Sequence, residues 1–184
     1  MANCTELYRS YLAGDDSALC GIVEEHNSKM TMFIYSYVKN IQDAEDIAAE
    51  TFLTLIIKKP HFKEDSSFKT WLYQIARNKA LDFLRSQNRH PSEDISEHED
   101  LSDSETPEEE FLMTEREKML HNAMDKLPKE YNEVLQLMYF SGLNTEQIAS
   151  VMKVNNKKVI NLTYRAKQAL KKQLEQEGFV YEDQ

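Results

Sequence analysis

At 184 residues, with a net charge of −10 and only four glycines and four prolines, the chain has room for one domain or two small ones and lacks the turn residues a β-rich fold needs. Two cysteines, Cys4 and Cys20, with no paired CxxC and no metal-ligand spacing to the five histidines, argue against a disulfide framework or a zinc site and suit a reducing cytosol. The start Met1-Ala2-Asn3-Cys4 carries no basic and apolar leader and no apolar run reaches membrane-spanning length, so a cytoplasmic protein without membrane insertion is expected; with no nucleophile–base–orienter constellation and no phosphate loop, neither catalysis nor a cofactor is expected.

Helical periodicity dominates, and the predicted class is all-α. A short helix is predicted over Thr5–Ala13, before Gly14-Asp15-Asp16, and a long one over Ser17–Tyr37, with Leu19, Ile22, Val23, His26, Met30, Phe33, Ile34 and Tyr37 near helical spacing. A third begins around Asp43 and stops before Pro60. Within it Asp43, Asp46 and Glu50 fall at i, i+3 and i+7 on one face, with Ile47 and Phe52 available to pack around that face. Three carboxylates so placed suit a docking surface, a solvated face or a metal site, although no histidine shares the spacing.

After the loop from Pro60 to Ser67, a fourth helix is predicted over Phe68–Gln87. Phe62, Phe68, Trp71, Tyr73 and Phe83 interleave there with Lys63, Lys69, Arg77, Lys79, Arg85 and Arg89. Two readings stand: aromatics among cations hold single-stranded nucleic acid, and aromatics at helical spacing form core with the cations solvating the outside.

Charge then divides the chain. Residues 1–89 hold 11 Lys/Arg against 12 Asp/Glu, residues 90–112 hold none against 10, and residues 113–184 hold 11 against 10. The segment 90–105 is also poor in apolar residues and reads as a linker between two small helical domains, 1–89 and 106–184. Thr106, Pro107 and Glu109 form a helix-start signature that opens the second domain. A linker of about 20 residues spans roughly 25 Å as a coil and roughly 70 Å extended, enough to separate the domains by more than one turn of DNA.

In the second domain Asn144 and Gln147 predict a capping box, Ile148, Ala149 and Met152 give an apolar face, and Lys153–Asn156 form a turn. The helix that follows, from Asn155 to Leu174, carries Lys157, Lys158, Arg165, Lys167, Lys171 and Lys172 and no acidic residue, as a contact to a polyanion requires. This is a helix-turn-helix. Helical geometry places Lys157, Ile160, Asn161, Tyr164, Arg165 and Gln168 on one face and turns Val159, Ala166 and Leu170 to the core.

The order of Asp43-Ala44-Glu45-Asp46-Ile47-Ala48-Ala49-Glu50-Thr51-Phe52, then Phe68-Lys69-Thr70-Trp71-Leu72-Tyr73-Gln74-Ile75-Ala76-Arg77-Asn78, then Leu127-Pro128 before the helix-turn-helix resembles the extracytoplasmic-function (ECF) sigma factors of bacterial RNA polymerase. The resemblance implies that 1–89 is sigma region two and 106–184 sigma region four. It implies docking of Asp43, Asp46, Ile47, Glu50 and Phe52 on the β′ clamp helices of core polymerase, and of region four on the β flap. Phe62, Lys63, Ser66, Ser67, Phe68, Lys69, Arg77, Asn78 and Arg85 are then implied contacts to the melted minus-ten element, with Phe62 to Phe68 as a base-capturing loop and Trp71 and Ile75 as scaffold. Lys157, Lys158, Ile160, Asn161, Tyr164 and Arg165 are implied contacts to the minus-thirty-five element. An anti-sigma factor is a further implied partner, and the acidic linker is either a spacer or a mimic of RNA charge in the polymerase exit path. Ala49 stands where the family usually has Gln, Ile160 and Leu162 where it usually has basic residues, and Thr163 where it usually has Leu. The alternative function is a free-standing helix-turn-helix regulator that binds duplex DNA without polymerase.

Overall fold

In the computed structural model, which describes residues 3–89 and 115–179, helix is the sole regular structure among the described residues. The expected linker at 90–105 and the helix start at Thr106, Pro107 and Glu109 lie outside the described residues.

Local capping sets the helix starts. Asn3 caps α1 (Cys4–Leu12) and Asp15 caps α2 (Asp16–Val38), each accepting from the N–H two residues on. The third helix, α3 (Ile41–Lys58), begins two residues before the Asp43 expected from spacing, because Asn40 accepts from the Asp43 N–H and supplies the cap. It ends at Lys59, whose φ of 41° is left-handed, directly before Pro60. Ser67 then caps α4 (Phe68–Arg89), accepting from the Thr70 N–H at 3.2 Å.

The buried stripe of α2 (Ile22, His26, Met30, Phe33, Ile34, Tyr37) meets Ala44, Ile47, Ala48, Phe52 and Leu55 of α3 and Leu72, Tyr73, Ala76 and Ala80 of α4. Against one end of this bundle the 60–67 loop is held by α1. The Tyr8 hydroxyl donates to the Pro60 carbonyl at 2.8 Å, and Arg9 pairs with Glu64. Tyr8, Phe62, Phe68 and Trp71 form a ring cluster with centroids 5.2–5.6 Å apart. Phe68→Ala is expected to lower stability in urea by about 3–5 kcal/mol, the cost of a buried aromatic; a loss below about 1 kcal/mol would show the ring is not core.

The second unit begins with α5 (Glu115–Asp125). After Pro128, α6 (Lys129–Leu135) widens into a π turn (Gln136–Phe140), where the Ser141 N–H donates to the Gln136 carbonyl at 2.9 Å. Gly142, at φ +62°, turns the chain into α7 (Thr145–Met152). The predicted capping box is present: the Gln147 N–H donates to Asn144 Oδ1 and the Asn144 N–H to Gln147 Oε1, both at 2.9 Å. Asn155 caps α8 (Asn156–Gln176), so the turn spans Lys153–Asn155 and Asn156 is already helical.

The two units do not stand apart. α4 packs on α7, α2 packs on α6 and the π turn, and one buried apolar cluster runs from Tyr8 to Ala166.

Candidate functional site

On α3 the acidic residues and their apolar companions part ways. Asp46 and Glu50 are exposed and Asp43 is half-buried, while Ile47 and Phe52 are 4% and 5% exposed and belong to the core. Ile47 and Phe52 are therefore corrected from docking contacts to scaffold. Ile56 also reaches solvent, 41% exposed, and the exposed apolar groups in line with the carboxylates are Leu53 and Ile57, 46% and 76% exposed. With Asp43, Asp46 and Glu50 they follow i, i+3, i+7, i+10 and i+14, the stripe by which a helix lies along a coiled coil. The stripe is acidic at its start and apolar at its end. Burial first, and the neighbouring Asp46 second, raise the Asp43 carboxyl above the ordinary range. Lys79 of α4 pairs with Glu50 at 3.1 Å.

Around the start of α4 the aromatics also change role. Phe62 and Phe68 are 7% and 2% exposed and lie inside the ring cluster, so neither face is open to a stacking base. They shape the loop, and its outer surface is polar: Lys63 and Ser67 are exposed, Ser66 and Lys69 half-buried. Trp71 and Ile75 are half-buried and packed against the core, as scaffold residues. Arg85 lies exposed near the end of α4, 2.8 Å from Asp82.

Farther along α4, residues implied in DNA contact turn toward the second unit. Arg77 Nε donates to Glu133 Oε1 of α6 at 2.7 Å, with side chains only 16% and 6% exposed. Burial opposes the guanidinium charge, yet the Glu133 carboxylate holds the Arg77 pKa above its ordinary value. Burial and then Glu133 push the adjoining Tyr37 phenol far above its usual range, so it stays neutral. Lys153 donates to Asn78 Oδ1 at 3.2 Å, Gln74 to the Ser150 carbonyl and hydroxyl at 3.1 and 2.8 Å, and Gln147 to the Ser67 hydroxyl at 2.9 Å. Lys39 and Asp125 close the far side at 2.6 Å.

The outer face of α8 agrees with helical geometry. Lys157, Ile160, Asn161, Tyr164, Arg165 and Gln168 are all exposed, Val159 and Ala166 are buried, and Leu170 is partly buried against the core. Leu162, 7% exposed, is core, which explains how an apolar residue stands at a usually basic place; Ile160, 59% exposed, remains on the outer face. The Thr163 hydroxyl is buried with no hydrogen-bond partner among the described residues. Lys158 is 3.0 Å from Glu130, and Lys167 lies over the Tyr139 ring at 5.4 Å.

Residues 22–90 match the Sigma-70 region 2 model and residues 117–170 the Sigma-70, region 4 model. The chain is 33% identical to the RNA polymerase sigma-H factor of Pseudomonas aeruginosa over 88% of its own length and 89% of that protein. The chain belongs to the ECF sigma factors. It is 30% identical to the ECF RNA polymerase sigma-E factor of Haemophilus influenzae, with 88% of this chain and 90% of that one covered. Among solved structures, CnrH in complex with the cytosolic domain of CnrY shares the fold at a TM-score of 0.66 and 20% identity, covering 92% of this chain and 95% of that one. The sigma factor RpoE of Bartonella quintana, in complex with the anti-sigma factor NepR, does so at 0.64 and 20%, covering 84% and 95%.

As a sigma factor this chain directs core RNA polymerase to promoters and is not an enzyme. No helix among the described residues is long and apolar enough to cross a membrane. Sequence reasoning missed Leu53 and Ile57 because α3 carries two apolar stripes, and it missed the Arg77–Glu133 pair because its partners lie 56 residues apart.

Proposed function

We propose that this sigma factor works in the cytoplasm through three surfaces: the α3 stripe on the β′ clamp helices, the polar rim of the 63–69 loop with α4 on the melted minus-ten strand, and the outer face of α8 in the major groove of the minus-thirty-five element. The observation that carries this is the exposed row Lys157, Asn161, Tyr164 and Arg165 on a capped second helix of a helix-turn-helix. Arg165 can bind guanine or phosphate, Asn161 can pair with adenine, and Lys157 and Lys158 suit phosphates. In this reading the functional domains are 1–89 and 106–184, joined by the acidic segment 90–105.

This packing of the two units is a closed one, and it must open to work. Lys153, bonded to Asn78, precedes Asn161 by eight residues, a chain reach of at most about 30 Å. Two promoter elements named for minus ten and minus thirty-five lie about 25 base pairs apart, roughly 85 Å of duplex. Contacts to both elements therefore require that α7 leave α4, which releases Ser67, Gln74, Arg77 and Asn78. An anti-sigma factor that stabilises the closed form would silence the protein; the RpoE structure is of a complex with an anti-sigma factor, which supports a partner of that kind.

Reconstitution tests the assignment. The purified chain is expected to bind core polymerase and to start transcription from a template melted at minus ten; a chain that binds duplex DNA alone and never engages core polymerase would instead be a free-standing regulator. Arg165→Ala and Asn161→Ala are each expected to weaken binding to the preferred minus-thirty-five duplex by about 1–3 kcal/mol and to relax specificity, read by competition between sequences. Lys157→Ala is expected to weaken all sequences alike and to lower the salt slope by about one.

A further inference from the structure

Next to the loop that carries the proposed minus-ten rim, ligating side chains converge where α1 begins. Cys4 Sγ lies 3.1 Å from Glu25 Oε2 and 3.4 Å from His26 Nε2, and Glu25 Oε1 lies 4.0 Å from the same nitrogen. One ligand atom from each residue falls within 4.8 Å of the others. A tetrahedral zinc ion, with bonds of about 2.3 Å to sulfur and 2.0–2.1 Å to nitrogen or oxygen, sets its ligands roughly 3.3–3.6 Å apart. The Sγ–Nε2 separation of 3.4 Å falls inside that range and the Sγ–Oε2 separation of 3.1 Å just below it.

The surroundings suit a built site. His26 is 1% exposed and its ring meets Tyr73 edge-on at 6.4 Å, which fixes its orientation. Its Nδ1 is buried with no hydrogen-bond partner among the described residues, and Nε2 is the nitrogen presented to Cys4. The two short contacts of Glu25 use different oxygens, Oε2 to the sulfur and Oε1 to the imidazole, and its side chain, 47% exposed, has room to turn a single oxygen toward both. A cleft of about 390 Å³ opens beside the three residues, bordered also by Ser67 and Lys69, with room for a water as fourth ligand.

We propose that Cys4, Glu25 and His26 form a three-ligand site for Zn(II), with the fourth position facing the cleft. Binding exchanges the thiol proton for the metal: the S–H bond breaks, the proton passes to water, and the S–Zn bond forms. Thiolate and carboxylate then neutralise the dication, and the imidazole stays neutral. The Lys69 ammonium borders the same cleft and is the one opposing charge among its lining residues. The ion would fasten the start of α1 to α2 beside Ser67, where α4 begins. The spacing of cysteines and histidines along the chain does not reveal the site, since Cys4 and His26 are 22 residues apart on two helices.

Cobalt(II) titration of the full-length reduced chain tests this. One equivalent is expected to bind, with a thiolate-to-cobalt charge-transfer band and tetrahedral d–d absorption, and to be displaced by Zn(II). Zinc is expected to shield Cys4, and not the exposed Cys20, from iodoacetamide, read by peptide mass spectrometry on the wild-type chain. Cys4→Ser should lose the band and weaken zinc binding by roughly 100-fold or more, while Cys20→Ser keeps both. Absence of the band in a chain folded by circular dichroism, equal alkylation of both cysteines under zinc, or loss of the band in Cys20→Ser would each overturn the site.

Discussion

Replacing Glu133 by alanine is expected to open the closed chain and to strengthen its binding to core polymerase. Arg77 and Glu133 form a well-buried pair at 2.7 Å across the two units. Removing one member of such a pair leaves the other charge buried and unpaired, at a cost of about 3–5 kcal/mol. That cost falls on the closed state alone, because in the open state Arg77 returns to water. The closed-to-open equilibrium then shifts on the order of 100-fold or more. Small-angle scattering reads the change directly: a compact chain of 184 residues has a radius of gyration of about 16 Å, and separation of the units raises it by several ångströms. Arg77→Ala should open the chain equally but lose a minus-ten contact, so its gain in polymerase binding is not matched by a gain on melted promoter. If Glu133→Ala leaves both the scattering profile and the polymerase affinity at wild-type values, the interface is not a barrier to activity.

Ile57→Asp and Asp46→Lys are expected to abolish most binding to core polymerase while leaving the fold intact. Both residues lie on the exposed stripe of α3, and exposed substitutions ordinarily change stability by no more than about 0.5 kcal/mol. At a docking surface the same changes place a charge against an apolar contact, or a like charge against a basic groove, at a cost of about 2–5 kcal/mol, or 30-fold and upward in affinity. Phe52→Ala makes the contrast. Phe52 is 5% exposed, and its loss should appear as about 3–5 kcal/mol of unfolding free energy. Anisotropy with labelled chain and core polymerase, paired with thermal melting, separates the two classes. Normal polymerase binding by Ile57→Asp would remove the stripe from the interface.

These outcomes bear on where sequence reading succeeds. Capping and periodicity act within four residues, so the Asn144–Gln147 box, the turn at Lys153 and the outward row on α8 are all legible from the chain alone. The same logic reaches its limit on α3. Its buried set of Ala44, Ile47, Ala48, Phe52 and Leu55 and its exposed set of Leu53, Ile56 and Ile57 are both apolar, and periodicity does not say which one meets α2. Around Phe62 and Phe68, composition alone admits both base stacking and core; Tyr8 on α1, against Phe68, and Trp71, against Phe62, decide for core.

What the sequence by itself determined is therefore the class, the helix-turn-helix with its exposed outer face, and the family, since each depends on short-range pattern or on ordered motifs. Tertiary structure alone decided which apolar face of α3 is outside, that Arg77 and Asn78 are bound to the second unit, and that Cys4 meets Glu25 and His26. Those contacts join residues 21 to 75 positions apart. No local periodicity encodes such pairings, because they are selected by how whole helix faces pack rather than by the spacing within any one of them.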